Sequence, residues 1–410
     1  MLRIGDPRHL HPQRVGFALP WVLILVFVIA GAVPLIAPRR SAGMDGSEFS
    51  AERAIEHVAN IAQQPRPIGS LAGAAARSYI VRELTAVGLE PQLQTTMVSD
   101  YYDDTGTVAV VNVMARIPGS DPTRAVALMG HYDTVPTSPG ASDDAAAVAA
   151  ILETTRALLA GPSLRNDVVL LFTDGEEPAF RYGSSAFLAE HPWADQVGLV
   201  INFEAAGGSG PSMLIETNGP QEWIIDEYAR AAPHPEAFSF LPETVALIGG
   251  SDTDFAPFRD RDIPGLNFAY LRGSPIYHTA NDSLDRVALS SLQHHGSHAL
   301  SLTRRFGNAD LAELPDSGES VFFTMIGSLL VRYPAGWTVP LALLAVVLFT
   351  VAAIGRIRRG TGTVRSLLFG AGITLTGIGA AMVATTVVWR LFTAVRRTPG
   401  VVESYLYLLG

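Results

Sequence analysis

A short loop between an apolar run and an Ala-rich segment constrains the fold of this chain most strongly. The apolar run covers residues 125–129, the loop at 130–144 reads GHYDTVPTSPGASDD, and an Ala-rich run follows at 145–160. This order predicts a strand, a loop and a helix. A His, an Asp two residues later and an acidic pair would then leave the carboxyl end of a strand, where open α/β sheets bind their ligands. We predict that the loop is half of a metal site and that the rest of the soluble region completes it.

Several further apolar runs predict a mixed α/β domain. Apolar residues at helical spacing indicate one helix that begins near Ser50 and another at 73–87. Strands are expected at 108–117, 125–129, 168–173, 198–203 and 265–270. Because helical patterns lie between several of these strands, we predict a mostly parallel mixed sheet with helices on both faces.

The distribution of charge separates a soluble region from apolar segments. Residues 44–316 contain 36 acidic residues and 16 Arg, whereas the rest of the chain contains 3 acidic residues and 13 Arg. A strongly acidic soluble region argues against nucleic-acid binding, which normally needs a basic face. Cys is absent, so any metal must be held by His and carboxylates, a ligand set that suits zinc, manganese or cobalt.

Three uncharged apolar stretches, at 15–37, 338–355 and 366–389, predict membrane spans. The first is expected to be an uncleaved anchor, with a cleaved signal peptide as the alternative. Four Arg lie in the loop between the second and third spans, at 356, 358, 359 and 365, and the positive-inside rule places such a loop in the cytoplasm. The soluble region would then lie on the periplasmic, extracellular or lumenal side, with the lipid bilayer as a partner.

These spans divide the chain into nine expected segments. They are an N-terminal cytoplasmic tail (1–14), an anchor (15–37), a linker (38–49), the soluble domain (50–306), a second linker (307–337), a membrane helix (338–355), a cytoplasmic loop (356–365), a membrane helix (366–389) and a C-terminal tail (390–410). Within the second linker, an interfacial helix is one option for residues 321–331.

Acidic and His residues recur at the ends of the predicted strands. Glu176 and Glu177 follow the strand at 168–173, Glu204 follows Phe203 at the end of the next strand, and His278 comes shortly after the strand at 265–270. Taken singly, His131 has the alternative of a packed or surface His, and Asp143 and Asp144 that of a helix N-cap. Glu176 and Glu177 have the alternative of a solvated turn, His278 alone says little, and Glu204 at the end of an apolar strand is costly without a partner. Together at one sheet edge, crowded carboxylates repel each other unless protons or cations neutralise them, and two divalent metals would do so.

These motifs resemble the co-catalytic di-zinc aminopeptidase family. The longest matches are the loop at 130–144, the segments FTDGEE and INFEAAG that contain Glu177 and Glu204, and Tyr277-His-Thr. With the segments at 251–255 and 291–296, they look like the membrane-bound branch of the endoplasmic reticulum metallopeptidase type. The resemblance covers most of residues 50–305 and implies the zinc-exopeptidase fold, which is phosphorylase/hydrolase-like.

The resemblance also implies a role for individual residues. His131 and Glu204 would bind one zinc, Glu177 and His278 would bind the other, and Asp143 would bridge the two. Asp133 would accept a hydrogen bond from His131, and Glu176 would be the general base. The family further implies a cis peptide bond between Asp143 and Asp144. Three residues, Asp252, Asp254 and Tyr277, are weaker candidates for substrate binding.

The function expected from this resemblance is hydrolysis of a peptide bond next to a free N-terminus, with two zinc ions per chain. A carboxypeptidase, a dipeptidase or a glutaminyl cyclase on the same scaffold is the enzymatic alternative. A catalytically silent membrane receptor or scaffold is the alternative from another class. The preferred peptide and the oligomeric state stay open.

Overall fold

The computed structural model describes residues 46–99, 106–178, 180–241, 252–325 and 328–395. The predicted N-terminal tail (1–14) and anchor (15–37) lie outside the described residues. The strands are β1 (Gln92–Ser99), β2 (Thr107–Ile117), β3 (Ala125–His131), β4 (Val168–Thr173), β5 (Val197–Ala205), β6 (Met213–Asn218), β7 (Gly265–Tyr270), β8 (Ser320–Thr324) and β9 (Leu330–Pro334). The helices are α1 (Ala51–Ile61), α2 (Leu71–Ala86), α3 (Ala145–Leu159), α4 (Tyr182–Glu190), α5 (Gln221–Ala231), α6 (Ala256–Arg259), α7 (Leu289–Phe306), α8 (Thr338–Arg358) and α9 (Val364–Val395).

A seven-stranded mixed sheet, in the order β1-β2-β4-β3-β5-β7-β6, forms the centre of the soluble domain. The four central strands β4, β3, β5 and β7 run parallel, while β1, β2 and β6 are antiparallel to their neighbours. The predicted mixed sheet is confirmed. Because the four central strands share one direction, their carboxyl ends lie at one edge, and every predicted metal ligand from His131 to His278 lies at or follows such an end.

The sheet is covered on both faces, since alternate residues of its central strands pack against different helices. Val126 and Leu128 of β3 belong to a large apolar cluster with α1, α2, α3, α5 and α7. Ala127 and Met129 face the other side, where they pack with α4 and α6. The Ala-rich α3 is buried almost throughout, because it lies between the sheet and the helices α1 and α7.

The edge strands β1 and β6 and the hairpin β8–β9 differ from the sequence prediction. Strands β1 and β6 lack a continuous apolar run because one of their faces is exposed or half-exposed. The prediction of an interfacial helix at 321–331 is wrong, since β8 and β9 pair antiparallel there. Burial alternates along β8, where Ser320 and Phe322 are buried and Val321 and Phe323 are not, as expected for a strand.

The last two helices stand apart from the soluble domain. The stretches from 335 to 358 and from 364 to 384 are both long and apolar enough to cross a membrane, and their side chains are not buried against protein. They fall where the second and third spans were predicted. Residues 309–311 lie against the soluble domain: Leu311 is buried, and the Asn166 side chain donates to the Ala309 carbonyl at 2.7 Å. The predicted linker between domain and membrane is therefore largely folded.

Candidate metal centre

His131 is the last residue of β3, and its imidazole is held from one side. Its Nδ1 lies 3.2 Å from the backbone carbonyl oxygen of Asp133 and 3.5 Å from the nearer Asp133 carboxylate oxygen. A carbonyl can only accept, so Nδ1 carries a proton and donates it there. This would leave Nε2 available to a metal, in the orientation usual for a metal-binding His.

The Asp143 carboxylate lies between two imidazoles. Its Oδ1 is 3.3 Å from His131 Nε2, and its Oδ2 is 3.3 Å from His278 Nε2. Two ligand atoms bound tetrahedrally to one zinc at ~2.0–2.1 Å are themselves roughly 3.3–3.4 Å apart. The spacing on each side of Asp143 therefore fits one metal ion. The peptide bond between Asp143 and Asp144 is cis, as the family resemblance implied.

Two more carboxylates lie beside the two imidazoles, one on each side of Asp143. Glu204 Oε2 lies 3.5 Å from His131 Nε2, and Glu177 Oε1 lies 2.7 Å from His278 Nε2. The spacing between Glu204 and His131 again fits a shared metal ion. Glu177 and His278 are joined by a direct hydrogen bond, and the distance between them would have to increase for a metal ion to bind between them. His131, Asp143 and Glu177 offer ligand atoms within 4.8 Å of one another, as do His131, Glu204 and the neighbouring Asp144.

The charges of these residues call for cations. Burial raises the pKa of Glu177 to about 8, and the charge of Asp143 adds to this. Burial lowers the pKa of His131, but the carboxylates of Asp133, Asp143 and Glu204 together raise it well above its ordinary value. Without metal, protons must therefore supply the positive charge that the site needs.

The environment of one buried atom, His131 Nε2, shows whether a metal ion fits this site. Within the described residues, His131 Nε2 is buried and makes no hydrogen bond of acceptable geometry, although two carboxylates face it. A buried polar nitrogen without a hydrogen bond is unfavourable, and a cation between it and the two carboxylates would satisfy all three groups. The donor set of imidazole and carboxylate is also one that zinc accepts. The residues present therefore fit a metal ion beside His131, and they would fit a second beside His278 after the hydrogen bond from His278 to Glu177 lengthens.

Glu176 and Asp133 lie next to the candidate ligands. Both oxygens of Asp133 accept backbone hydrogen bonds, from the Glu176 amide at 3.2 Å and from the Glu177 amide at 3.0 Å. Asp133 thus holds the segment of Glu176 and Glu177 as well as facing His131. Burial, with the charges of Glu177 and Glu204, raises the pKa of Glu176 well above its ordinary value.

The three weaker candidates occupy different environments. Asp254 is fully buried and accepts hydrogen bonds from Thr173 and Ser184. Asp252 lies at the surface, where Arg181 pairs with it at 2.8 Å. Tyr277 stacks on His278 with ring centroids 3.7 Å apart, so it is the one of the three in contact with a candidate ligand.

Two residues that the sequence did not single out hold the loop of His131 and Asp143. The buried guanidinium of Arg66 donates to the carbonyls of Tyr132, Pro139 and Gly140. The buried carboxylate of Asp282 accepts from the amides of Ser142 and Asp143. The available signals were weak: an Arg between two Pro, and an acid four residues after His278.

Comparisons with known proteins found a family match and several relatives. Residues 112–303 match peptidase family M28. Endoplasmic reticulum metallopeptidase 1 of Rattus norvegicus is 30% identical over 94% of this chain and 46% of its own length. The chain therefore spans about half the length of the curated relatives it matches.

Two solved structures show the same fold. An aminopeptidase from Aneurinibacillus sp. strain AM-1 has a TM-score of 0.53 at 14% identity and covers 66% of this chain and 97% of its own. The glutaminyl cyclase of an Acidobacteriales bacterium has a TM-score of 0.53 at 21% identity and covers 66% of this chain and 99% of its own. With paired His and carboxylate side chains at the carboxyl edge of this fold, the α/β domain of the chain is similar to peptidase family M28 over residues 112–303.

Proposed function

We propose that this chain is a membrane-anchored exopeptidase that removes N-terminal residues from peptides with the help of two zinc ions. The observation that carries the proposal is the placement of Asp143, whose two carboxylate oxygens each lie 3.3 Å from a different His. A single-metal site would need only one of these approaches. In this proposal His131 and Glu204 hold one ion, Glu177 and His278 hold the other, and Asp143 bridges them.

Two adjacent zinc ions, when bound, polarise the scissile carbonyl and bring the pKa of a shared water towards neutrality. The remaining work belongs to side chains of the protein. Glu176 is not needed as a ligand, so its carboxylate is available to take the proton of the attacking water. It then returns that proton to the nitrogen of the leaving amine. Asp133 keeps Glu176 in place through the backbone amide that it accepts.

The charge of the site supports a substrate with a free ammonium group. Seven buried carboxylates lie in or beside the centre: Asp133, Asp143, Asp144, Glu176, Glu177, Glu204 and Asp254. Two divalent ions offset only part of that negative charge. A peptide N-terminus near the metals would be attracted by the remainder, which favours an aminopeptidase over a carboxypeptidase.

The proposed location is the non-cytoplasmic face of a membrane. The two apolar helices α8 and α9 are joined by an Arg-containing turn, and this turn would lie in the cytoplasm. The soluble domain, which precedes α8, would then lie on the other side. The relative from Rattus norvegicus is named for the endoplasmic reticulum, which is consistent with a membrane setting.

The test joins metal content to activity in the purified full-length chain. Wild-type protein should contain two zinc ions and release arylamine from aminoacyl-arylamides. Glu176→Gln should keep both ions and lose at least about 100-fold in kcat, as removal of a general base does. Glu190→Gln, which changes a carboxylate on α4 that accepts from Thr96, is the matched control and should behave as wild type.

Two outcomes would contradict the proposal. Fewer than two ions in wild-type protein would exclude the bridged pair, and full activity of Glu176→Gln would exclude its role as base. An N-terminal glutaminyl peptide should be included as a substrate. If it is cyclised while aminoacyl-arylamides are left intact, the enzyme is a glutaminyl cyclase instead.

A further inference from the structure

The loop that carries Asp143 is joined to the segment that carries His278 by four hydrogen bonds. Thr137 Oγ1 donates to the His278 carbonyl at 2.8 Å, and the Ala141 amide donates to the Asp282 carbonyl at 3.0 Å. The other two go to the Asp282 side chain, from the amides of Ser142 at 2.8 Å and Asp143 at 3.0 Å. These two segments are separated by more than 130 residues of sequence, so the contacts are purely tertiary.

Asp282 is a buried carboxylate, with 1% of the residue exposed. Burying a charged carboxylate is costly unless hydrogen bonds compensate it. Here each oxygen accepts one backbone amide, so both oxygens have a partner. One of those amides belongs to Asp143. The position of the Asp143 backbone is therefore set by a side chain that lies four residues after His278.

We propose that Asp282 is the positioning residue that fixes the distance between Asp143 and His278. The inference rests on the proposed function, in which Asp143 bridges the two metals and His278 binds one of them. The segment that supplies His278 also accepts a hydrogen bond from the backbone amide of Asp143, so the positions of Asp143 and His278 are coupled. Asp282 is not one of the proposed ligands, and its side chain acts on the site through the backbone amides of Ser142 and Asp143.

The chemistry of the contact requires a carboxylate at position 282. Two neighbouring N–H donors need two acceptor oxygens, and a carboxylate supplies them. In Asp282→Asn one of the two oxygens becomes an NH2 group, which would face an amide N–H. The change is nearly isosteric, so it breaks one hydrogen bond without removing volume. Partners that orient metal ligands typically contribute about 10–100-fold to metal affinity.

The experiment compares zinc binding by the full-length chain and three variants, by titration against a zinc buffer series with thermal melts alongside. Asp282→Asn should weaken the weaker of the two zinc sites by about 10–100-fold. Asp282→Ser keeps one acceptor and serves as a second variant if the Asn protein does not fold; it should weaken the same site. Asp285→Asn is the matched control, because Asp285 is an exposed acid of the same segment that accepts from Ser283.

The outcomes separate this inference from the proposed function. If wild type and Asp285→Asn bind two zinc ions and the folded Asp282 variants bind both with unchanged affinity, Asp282 is only structural and the inference is wrong, whatever happens to Tm. If wild type binds fewer than two ions, the proposed function itself fails, and the inference falls with it. Selective weakening of one site in the Asp282 variants supports both.

Discussion

Replacement of Arg66 by Met should destabilise the soluble domain more than any surface substitution. Arg66 is fully buried, and its guanidinium donates to the carbonyls of three residues in the loop that leads to Asp143. Burial lowers its pKa to about 10, so the side chain stays positively charged near neutral pH. The arginine therefore supplies both hydrogen bonds and a positive charge beneath a group of carboxylates.

The expected magnitude follows from the hydrogen bonds that the Arg66 guanidinium donates. A hydrogen bond from a charged donor contributes roughly 1.5–3 kcal/mol, and Arg66→Met removes three of them. The Gly140 carbonyl keeps the amide of Ala145 as a second donor. Removing the cation also relieves its desolvation cost, which offsets part of this destabilisation. A net destabilisation of about 3–5 kcal/mol results, similar to breaking a buried ion pair. For a domain of this size that corresponds to a fall in Tm of about 6–20 °C.

The assay is thermal unfolding of the full-length chain in detergent, followed by circular dichroism. Arg82→Met is the matched control, because the Arg82 side chain is on α2 and 64% exposed. The control should melt within about 2 °C of wild type, as surface substitutions usually do. Arg66→Lys keeps the charge but not the several N–H donors of the guanidinium, so its Tm should lie between those of Arg66→Met and Arg82→Met. If Arg66→Met unfolds at the same Tm as Arg82→Met, the reasoning is refuted.

Three further predictions concern other parts of the chain. Gly296→Ala should cost about 1–3 kcal/mol despite its better helix propensity, because its Cβ would lie 2.0–2.4 Å from ring carbons of Phe49; an unchanged Tm would contradict this. Burial lowers the pKa of His295 from 6.5 to about 3, so unfolding takes up a proton between these values. Stability should therefore fall as pH drops below about 6.5, by up to ~1.4 kcal/mol per pH unit from this group, and His295→Gln should show a shallower dependence in denaturant titrations; equal slopes would exclude the effect. Because the chain has no Cys, Gly362→Cys and Ser78→Cys give single labels. In right-side-out vesicles an impermeant maleimide should label only Ser78→Cys, and the reverse pattern would overturn the proposed orientation.

The sequence predicted the central strands well because their side chains are buried on both faces. Strands β4 and β7 have the predicted bounds, and β3 and β5 extend only a few residues beyond theirs. The edge strands β1 and β6 were not predicted because neither is a buried apolar run: β1 alternates exposed and half-buried residues, and β6 is half-buried along most of its length. The hairpin β8–β9 escaped for another reason: β8 is held by residues far away in sequence, through the Ser239 amide and the Phe322 carbonyl.

The candidate site likewise contains some residues that the sequence predicted and others that it did not. The side chains that the family resemblance named for metal binding do lie together, because each sits at the end of a parallel strand or in the loop that follows it. Their roles remain a proposal. Arg66 and Asp282 were not predicted, since their contacts to the loop span about 70 and 140 residues of sequence and carry no local pattern. The Asp133 backbone carbonyl, which lies closer to His131 than the carboxylate does, is likewise visible only in three dimensions.

The central claim is that Asp143 bridges two zinc ions, and anomalous diffraction at the zinc absorption edge tests it most directly. Crystals of the zinc-loaded full-length protein should show two anomalous peaks about 3.5–4 Å apart. One peak should lie between His131 and Glu204 and the other between Glu177 and His278, with an oxygen of Asp143 next to each. A single peak, or two peaks that Asp143 does not join, would contradict the account.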